Sequence, residues 1–221
     1  MSQFVLLIPA LKKNVAFQDD LVKKLGGVSL IQRAINKAVE LNVGKKDIHL
    51  FTDSEEIQMI AGRNNVQSYF DPTLLWSESE FIGKMGQYIR RVTQDSEYVL
   101  FLSPYAPLIS RDLIDQATKA LQERNEDLLI PVKHVLRKIH TKNKHSAFQS
   151  LFSEESSAHV VRSNAFRICR SNMLRRSINS VPSTFSLGVE HDLFEIETYQ
   201  DWWICEKLLN RKRIVFRVIG N

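Results

Sequence analysis

A three-layer α/β fold, a mostly parallel sheet with helices on both faces, is what this chain predicts. Two patterns carry that expectation. Short apolar runs alternate with stretches of helical periodicity from the first residues onward, and each run stops at a turn or helix-start signal. Strands separated by helices run parallel, because a crossover helix returns the chain to pair in the same direction. At 221 residues, the chain is long enough for one such domain with a small elaboration. We find no internal repeat, low-complexity segment or linker, so residues 1–221 are expected to form a single domain.

The elements follow in order. Phe4 to Ile8 is a buried strand, and Ile31, Ala34, Ile35 and Ala38 recur at helical spacing. Ile48 to Phe51 is a second buried strand. Asp53 with Glu56 three residues later has the form of a capping box, which starts a helix at Ser54. Val66 to Phe70 is a short strand, Glu80 to Val92 a helix, and Tyr98 to Leu102 a strong strand stopped by Ser103-Pro104. Ser110 or Asp112 opens a helix to about Gln122, and Asp127 to Val132 is another strand. From 133 to 162 the pattern breaks into a basic, weakly periodic excursion. Residues 133–145 alone hold five Lys/Arg and three His. The chain returns through strands at Ala165–Cys169, Phe185–Val189 and Leu193–Ile196. A helix from Tyr199 to about Asn210 then sets Trp202, Trp203 and Leu209 on an apolar face, and Arg213 to Ile219 reads as a final edge strand.

Composition narrows the function classes. The 43% hydrophobic and 25% charged content are those of a globular protein. No run approaches the ~18 apolar residues that span a bilayer. The N-terminus lacks the basic region and cleavage site of a signal peptide, so a cytoplasmic protein is expected. Cys169 and Cys205 stand apart from any metal-ligand spacing, which leaves a zinc site or disulfide framework unsupported. A net charge of +5 favours anionic partners. Nucleic acid is not expected among them, since no helix-turn-helix, ribonucleoprotein or aromatic-stacking signature accompanies the charge.

Parallel sheets bind ligands at the carboxyl ends of their strands, which points to the loops after Ile8, Phe51 and Leu102. Near the C-terminus, Glu195-Ile196-Glu197 sets two carboxylates two residues apart, and on an extended chain both lie on one face. Two hard oxygen ligands suit Mg²⁺, which completes its shell with water and substrate phosphate. A solvated strand face gives the same pattern.

Five local patterns, in this order, resemble the acylneuraminate (CMP-sialic acid) cytidylyltransferase family, whose sugar-activating relatives make CMP-Kdo. They are Ile8-Pro9-Ala10, Leu25-Gly26-Gly27-Val28-Ser29-Leu30-Ile31, Thr52-Asp53-Ser54-Glu55-Glu56-Ile57, Leu102-Ser103-Pro104-Tyr105-Ala106-Pro107-Leu108, and Glu195-Ile196-Glu197-Thr198 through Asp201-Trp202. The resemblance implies a nucleotide-diphospho-sugar transferase-like fold. It implies transfer of CMP from CTP to an acidic sugar, a nonulosonic acid or one like Kdo, with release of pyrophosphate and Mg²⁺ as cofactor. It also implies a homodimer. By position, Ala10, Leu11, Lys12, Lys13, Ser103 and Tyr105 would bind the nucleotide. Arg137, Lys138, Asn164 and Arg167 would meet the acidic sugar. Glu195 and Glu197 stand where the family has two Asp metal ligands. The 133–162 excursion would build part of the sugar pocket and of a dimer contact.

The chain also departs from the family pattern. Leu11, Val15, Ala16 and Asp20-Leu21 occupy loop positions where the family has Arg, Lys, Gly and Lys-Asn, and Asp71 stands at a further Arg. Ser103 replaces a Gln of the pyrimidine-contacting loop. Each lost charge-assisted contact to a phosphate is worth about 1.5–3 kcal/mol. Two functional readings therefore stand together: an active cytidylyltransferase-like enzyme, or a homologue that keeps the fold and acts as an interaction or regulatory protein.

Overall fold

The computed structural model describes residues 4–12, 17, 19–41, 43–74, 78–138, 156–175, 184–188 and 193–219. Lys13 and the tip of the excursion, 139–155, lie outside them, as do the side chains of Arg137 and Lys138.

The central sheet has the order β10-β7-β9-β6-β1-β4-β5, with β8 paired to β7. Its strands are β1 (Phe4–Pro9), β4 (Ile48–Thr52), β5 (Gln67–Phe70), β6 (Tyr98–Leu102), β7 (Leu128–Lys138), β8 (Ser156–Arg162), β9 (Phe166–Arg170) and β10 (Thr184–Gly188). β1 pairs in parallel with β4 and β6, β4 with β5, and β7 with β10. The antiparallel runs are β9, between β6 and β7, and β8. The mostly parallel α/β sheet is therefore as expected.

Helices cover both faces. Leu6 and Ile8 of β1 join a cluster with Ile31 and Ile35 of α1 (Leu30–Glu40), Ile57 of α2 (Glu55–Arg63) and Leu113 of α4 (Arg111–Arg124). Val5 and Leu7, pointing the other way, join Phe51, Val99 and Cys169 against Met85 and Ile89 of α3 (Glu78–Val92). A strand buried on both faces has no polar alternation, which is why β1 and β6 read as continuous apolar runs and β4 as one interrupted only by the buried His49. Full burial of each such side chain contributes roughly 1.5–3 kcal/mol.

Local chemistry sets the helix entries. The short hairpin β2 (Lys24–Leu25) and β3 (Val28–Ser29) turns through Gly26 and Gly27, at φ +56° and +87°. Positive φ at both central residues is the type I′ arrangement that matches strand twist, and glycine adopts it without a Cβ penalty. Ser29 then caps α1 by accepting a hydrogen bond from Gln32 N, and Ser110 caps α4 by accepting one from Leu113 N.

Several expectations are corrected. The N-cap of α2 is Ser54, with no side-chain cap bond, and the capping box expected from Asp53 and Glu56 does not form. Asp53 Oδ1 instead accepts from Lys12 N and Glu56 pairs with the Lys12 ammonium, so both acids are engaged by the neighbouring loop. β7 runs six residues beyond Val132 because β8 pairs with it from Val132 to Lys138; the start and end of the basic excursion are thus two arms of the sheet. Among the described residues Leu193 to Ile196 pairs with no strand, and its backbone is tied instead by Ile196 N donating to Tyr105 O at 2.9 Å. Helix α5 spans Tyr199–Ile219 and takes in the segment expected as an edge strand. Trp202 is buried but Trp203 is 60% exposed, since successive helical residues lie about 100° apart.

Candidate functional site

The chain leaves β1 toward β4 and β5 on one side, then crosses back to place β6 on the other. The reversal between β1 and β6 is a topological switch point, where doubly wound sheets open a crevice beyond their strand ends. The segments leaving that edge are Ala10 to Lys12 and Ser103 to Tyr105. Two backbone bonds fix them: Ala10 N donates to Phe51 O at 2.8 Å and Ser103 N to Ala165 O at 3.0 Å.

In the β1 loop, the Ala10 and Leu11 side chains are buried in the two clusters on either face of the sheet. These two residues are committed to packing, so any ligand contact they make is through the backbone. Lys12 donates its amide to Asp53 Oδ1 at 2.7 Å. Its ammonium lies 2.8 Å from Glu56 Oε2 and 3.2 Å from Asp19 Oδ1. The hydrogen bond to Glu56 is the largest cause raising the Lys12 pKa above its ordinary value. Asp20 is fully buried close by. The Lys12 cation is thus neutralised by the protein's own carboxylates.

In the β6 loop, Ser103 Oγ accepts from Tyr105 N at 3.3 Å and closes a turn. The Tyr105 carbonyl receives the Ile196 amide, which joins this loop to the segment carrying the paired glutamates. Burial, and then the adjacent Asp20 carboxylate, push the Tyr105 phenol above the ordinary tyrosine range, so it stays protonated.

The glutamate segment is built around Ile196, which is buried with Phe17, Leu108 and Trp202 and flanked by Glu195 and Glu197. Thr198 and Asp201 then start α5 with a reciprocal cap. Asp201 Oδ2 accepts from Thr198 N and Oγ1 at 2.9 and 2.7 Å, and Asp201 N donates to Thr198 Oγ1 at 3.2 Å. Glu197 is exposed. Glu195 is held closely, its side chain 9% exposed. Its Oε1 accepts from Ser163 Oγ at 2.6 Å and lies 3.7 Å from Lys133 Nζ, while Oε2 accepts from Asn164 N at 3.2 Å.

Asn164 therefore touches Glu195 through its backbone, and its side-chain oxygen accepts from Arg167 Nη2 at 3.1 Å. Ser163 and Lys133 are members of this cluster that sequence reading did not single out. Lys133 was visible only as one charge in a basic run, and Ser163 carried no signal. Among the described residues no group of three or more His, Cys, Asp or Glu converges as a metal cage. Carboxylate oxygens are the donors that a hard cation with retained waters accepts; those of Glu197 are exposed, whereas both oxygens of Glu195 already accept hydrogen bonds.

The β1 loop and α5 are clasped together. The Phe17 ring stacks on Tyr199 at 4.2 Å and meets Trp202 edge-on at 5.3 Å, and Lys23 Nζ lies within 5.7 Å of all three rings. Gly26 N also donates to Glu206 Oε1 at 3.1 Å. No helix among the described residues is long and apolar enough to cross a membrane.

By sequence the chain matches no family model and no curated protein. By structure it resembles CMP:2-keto-3-deoxy-manno-octonic acid synthetase complexed with CTP, with a TM-score of 0.68 at 9% identity over 96% of this chain and 100% of that one. It also resembles 4-diphosphocytidyl-2C-methyl-D-erythritol synthase from Anaerococcus prevotii, with a TM-score of 0.63 at 12% identity over 95% and 99%. The bifunctional IspDF from Campylobacter jejuni gives 0.61 at 15% identity over 90% of this chain and 53% of that chain. At these identities the likeness establishes the fold alone, and the chain has the nucleotide-diphospho-sugar transferase-like fold that these structures share.

Proposed function

We propose that this protein is a cytidylyltransferase-like enzyme that transfers CMP from CTP to an acidic sugar and releases pyrophosphate. The observation that carries this reading is the Ile196–Tyr105 backbone bond. It brings the paired glutamates to the switch-point loops of a fold shared, over nearly the whole chain, with a synthetase complexed with CTP. The acidic sugar and the homodimer rest on the sequence resemblance.

In this reading Glu195 and Glu197 hold Mg²⁺. When bound, that ion neutralises charge developing on the leaving pyrophosphate. The chain's own groups do the positioning. Ser163 and the Asn164 amide fix the Glu195 carboxylate, and the Ser103–Tyr105 turn sets one wall of the crevice. Lys12, with Lys13 beside it in sequence, supplies positive charge to the phosphates, while Asn164 and Arg167, with Arg137 and Lys138 of β7, meet the anionic acceptor. Holding acceptor and nucleotide in line accounts for much of the rate in such transfers.

A second reading has its own observation. Lys12 is bound to Glu56 and Asp19 in a loop that also holds Asp20, where a triphosphate would need free cations. A homologue without turnover, acting as an interaction or regulatory protein, is consistent with that arrangement. Binding of CTP, UTP and ATP with and without Mg²⁺, followed by pyrophosphate release over a panel of acidic sugars, separates the two. The enzyme reading expects CTP binding and turnover with at least one sugar. Absence of nucleotide binding at millimolar concentration leaves the second reading.

A further inference from the structure

Lys133 sits where it can exchange partners. Its ammonium is 3.7 Å from Glu195 Oε1, which is ion-pair range without a hydrogen bond, and its side chain is 33% exposed against 9% for Glu195. The glutamate is oriented independently by the Ser163 hydroxyl and the Asn164 amide, so Lys133 can leave without releasing it. Lys12, the cation of the β1 loop among the described residues, is already engaged by Glu56 and Asp19.

We propose that Lys133 is the internal counter-ion of this site: it neutralises Glu195 while the crevice is empty and passes to an anionic group of the incoming nucleotide. The carboxylate then sheds its competing cation, and can meet a divalent ion, only after the anion has arrived. This rests on the cytidylyltransferase reading and deepens it by giving an order of binding. The physical reason is that a positive charge this close competes with a metal for the same carboxylate, and binding a phosphate to the ammonium removes the competitor.

The test uses the full chain and two titrations: Mn²⁺ alone, followed by its electron paramagnetic resonance signal, and CTP in the presence of EDTA. Lys133→Met is expected to bind Mn²⁺ about tenfold more tightly than the parent, because a positive charge competing for the carboxylate is removed. It should bind metal-free CTP about tenfold more weakly, one charge-assisted contact being lost. Lys133→Arg should restore both values, and Lys133→Gln serves as the neutral variant should the Met form fold poorly. Unchanged Mn²⁺ affinity in the neutral variants, with binding abolished by Glu195→Gln, would overturn the counter-ion role and leave the metal site standing. No Mn²⁺ binding by any form would overturn the metal site, and the counter-ion role with it.

Discussion

Ser163 and Glu195, 32 residues apart in sequence, are joined by a 2.6 Å hydrogen bond from hydroxyl to carboxylate. The bond ties the turn between β8 and β9 to the segment entering α5, and it keeps a nearly enclosed acid in one orientation. Ser163→Ala leaves the serine site empty and Glu195 with one donor fewer. A loss of about 1.5–3 kcal/mol in unfolding free energy is expected, the range for a hydrogen bond to a charged partner. Urea denaturation checks this, and a change within error would show that the bond contributes nothing net.

Glu56→Gln removes the main partner of the Lys12 ammonium. The pair is part-exposed, with side chains 27% and 52% accessible, so stability should fall by less than about 1 kcal/mol. Freed of that partner, Lys12 should bind inorganic pyrophosphate more tightly than in the parent, by a few-fold in calorimetry. Weaker pyrophosphate binding in the variant would show that Lys12 does not serve as a phosphate ligand.

Gly27 turns at φ +87°, and nothing lies within 4 Å of where a Cβ would sit. The cost of Gly27→Ala is therefore conformational and is expected at about 1–2 kcal/mol, with Gly27→Asn recovering part of it. Thermal unfolding of the two variants tests the order Gly, Asn, Ala.

His49 lies in the core with Nδ1 2.9 Å from the Tyr88 hydroxyl, and burial lowers its pKa below the ordinary 6.5. The unfolded chain takes up the proton first, so the stability His49 contributes is present above pH 6.5 and is lost as pH falls through its lower folded value. His49→Gln should have a shallower loss of stability between pH 7.5 and 5.5 than the parent. An identical slope would place the acid sensitivity in other groups.

Where one periodicity governed an element, it could be read directly. β1 and β6 are buried on both faces and show as apolar runs, β4 as one broken only by His49, and α1 and α4 carry serine caps with clear helical spacing. The loops after Ile8, Phe51 and Leu102 followed from the rule for parallel sheets, while the switch point needed the strand order. Other features depend on pairing that composition does not reveal. Lys133 to Lys138 extends β7 because a distant strand lies beside it, and no property of that basic run announces the partner. Ile214 to Ile219 is rich in β-branched residues yet continues α5, where each added residue gains a helical bond once the helix has begun at the Thr198–Asp201 cap. The glutamate pair was found as a motif, but its real setting lies outside any strand. The groups that orient Glu195, Ser163 and Asn164 among them, are brought in from another part of the chain and leave no local trace.

Glu195→Gln combined with Glu197→Gln should abolish pyrophosphate release while leaving the circular dichroism spectrum unchanged. Turnover equal to the parent would remove both glutamates from the metal assignment.

Calorimetric titration of the chain with CTP in the presence of Mg²⁺ tests the central claim most directly. The account predicts saturable binding of one CTP per chain at submillimolar affinity, weakened when Mg²⁺ is withdrawn. No heat of binding with CTP at millimolar concentration would contradict it.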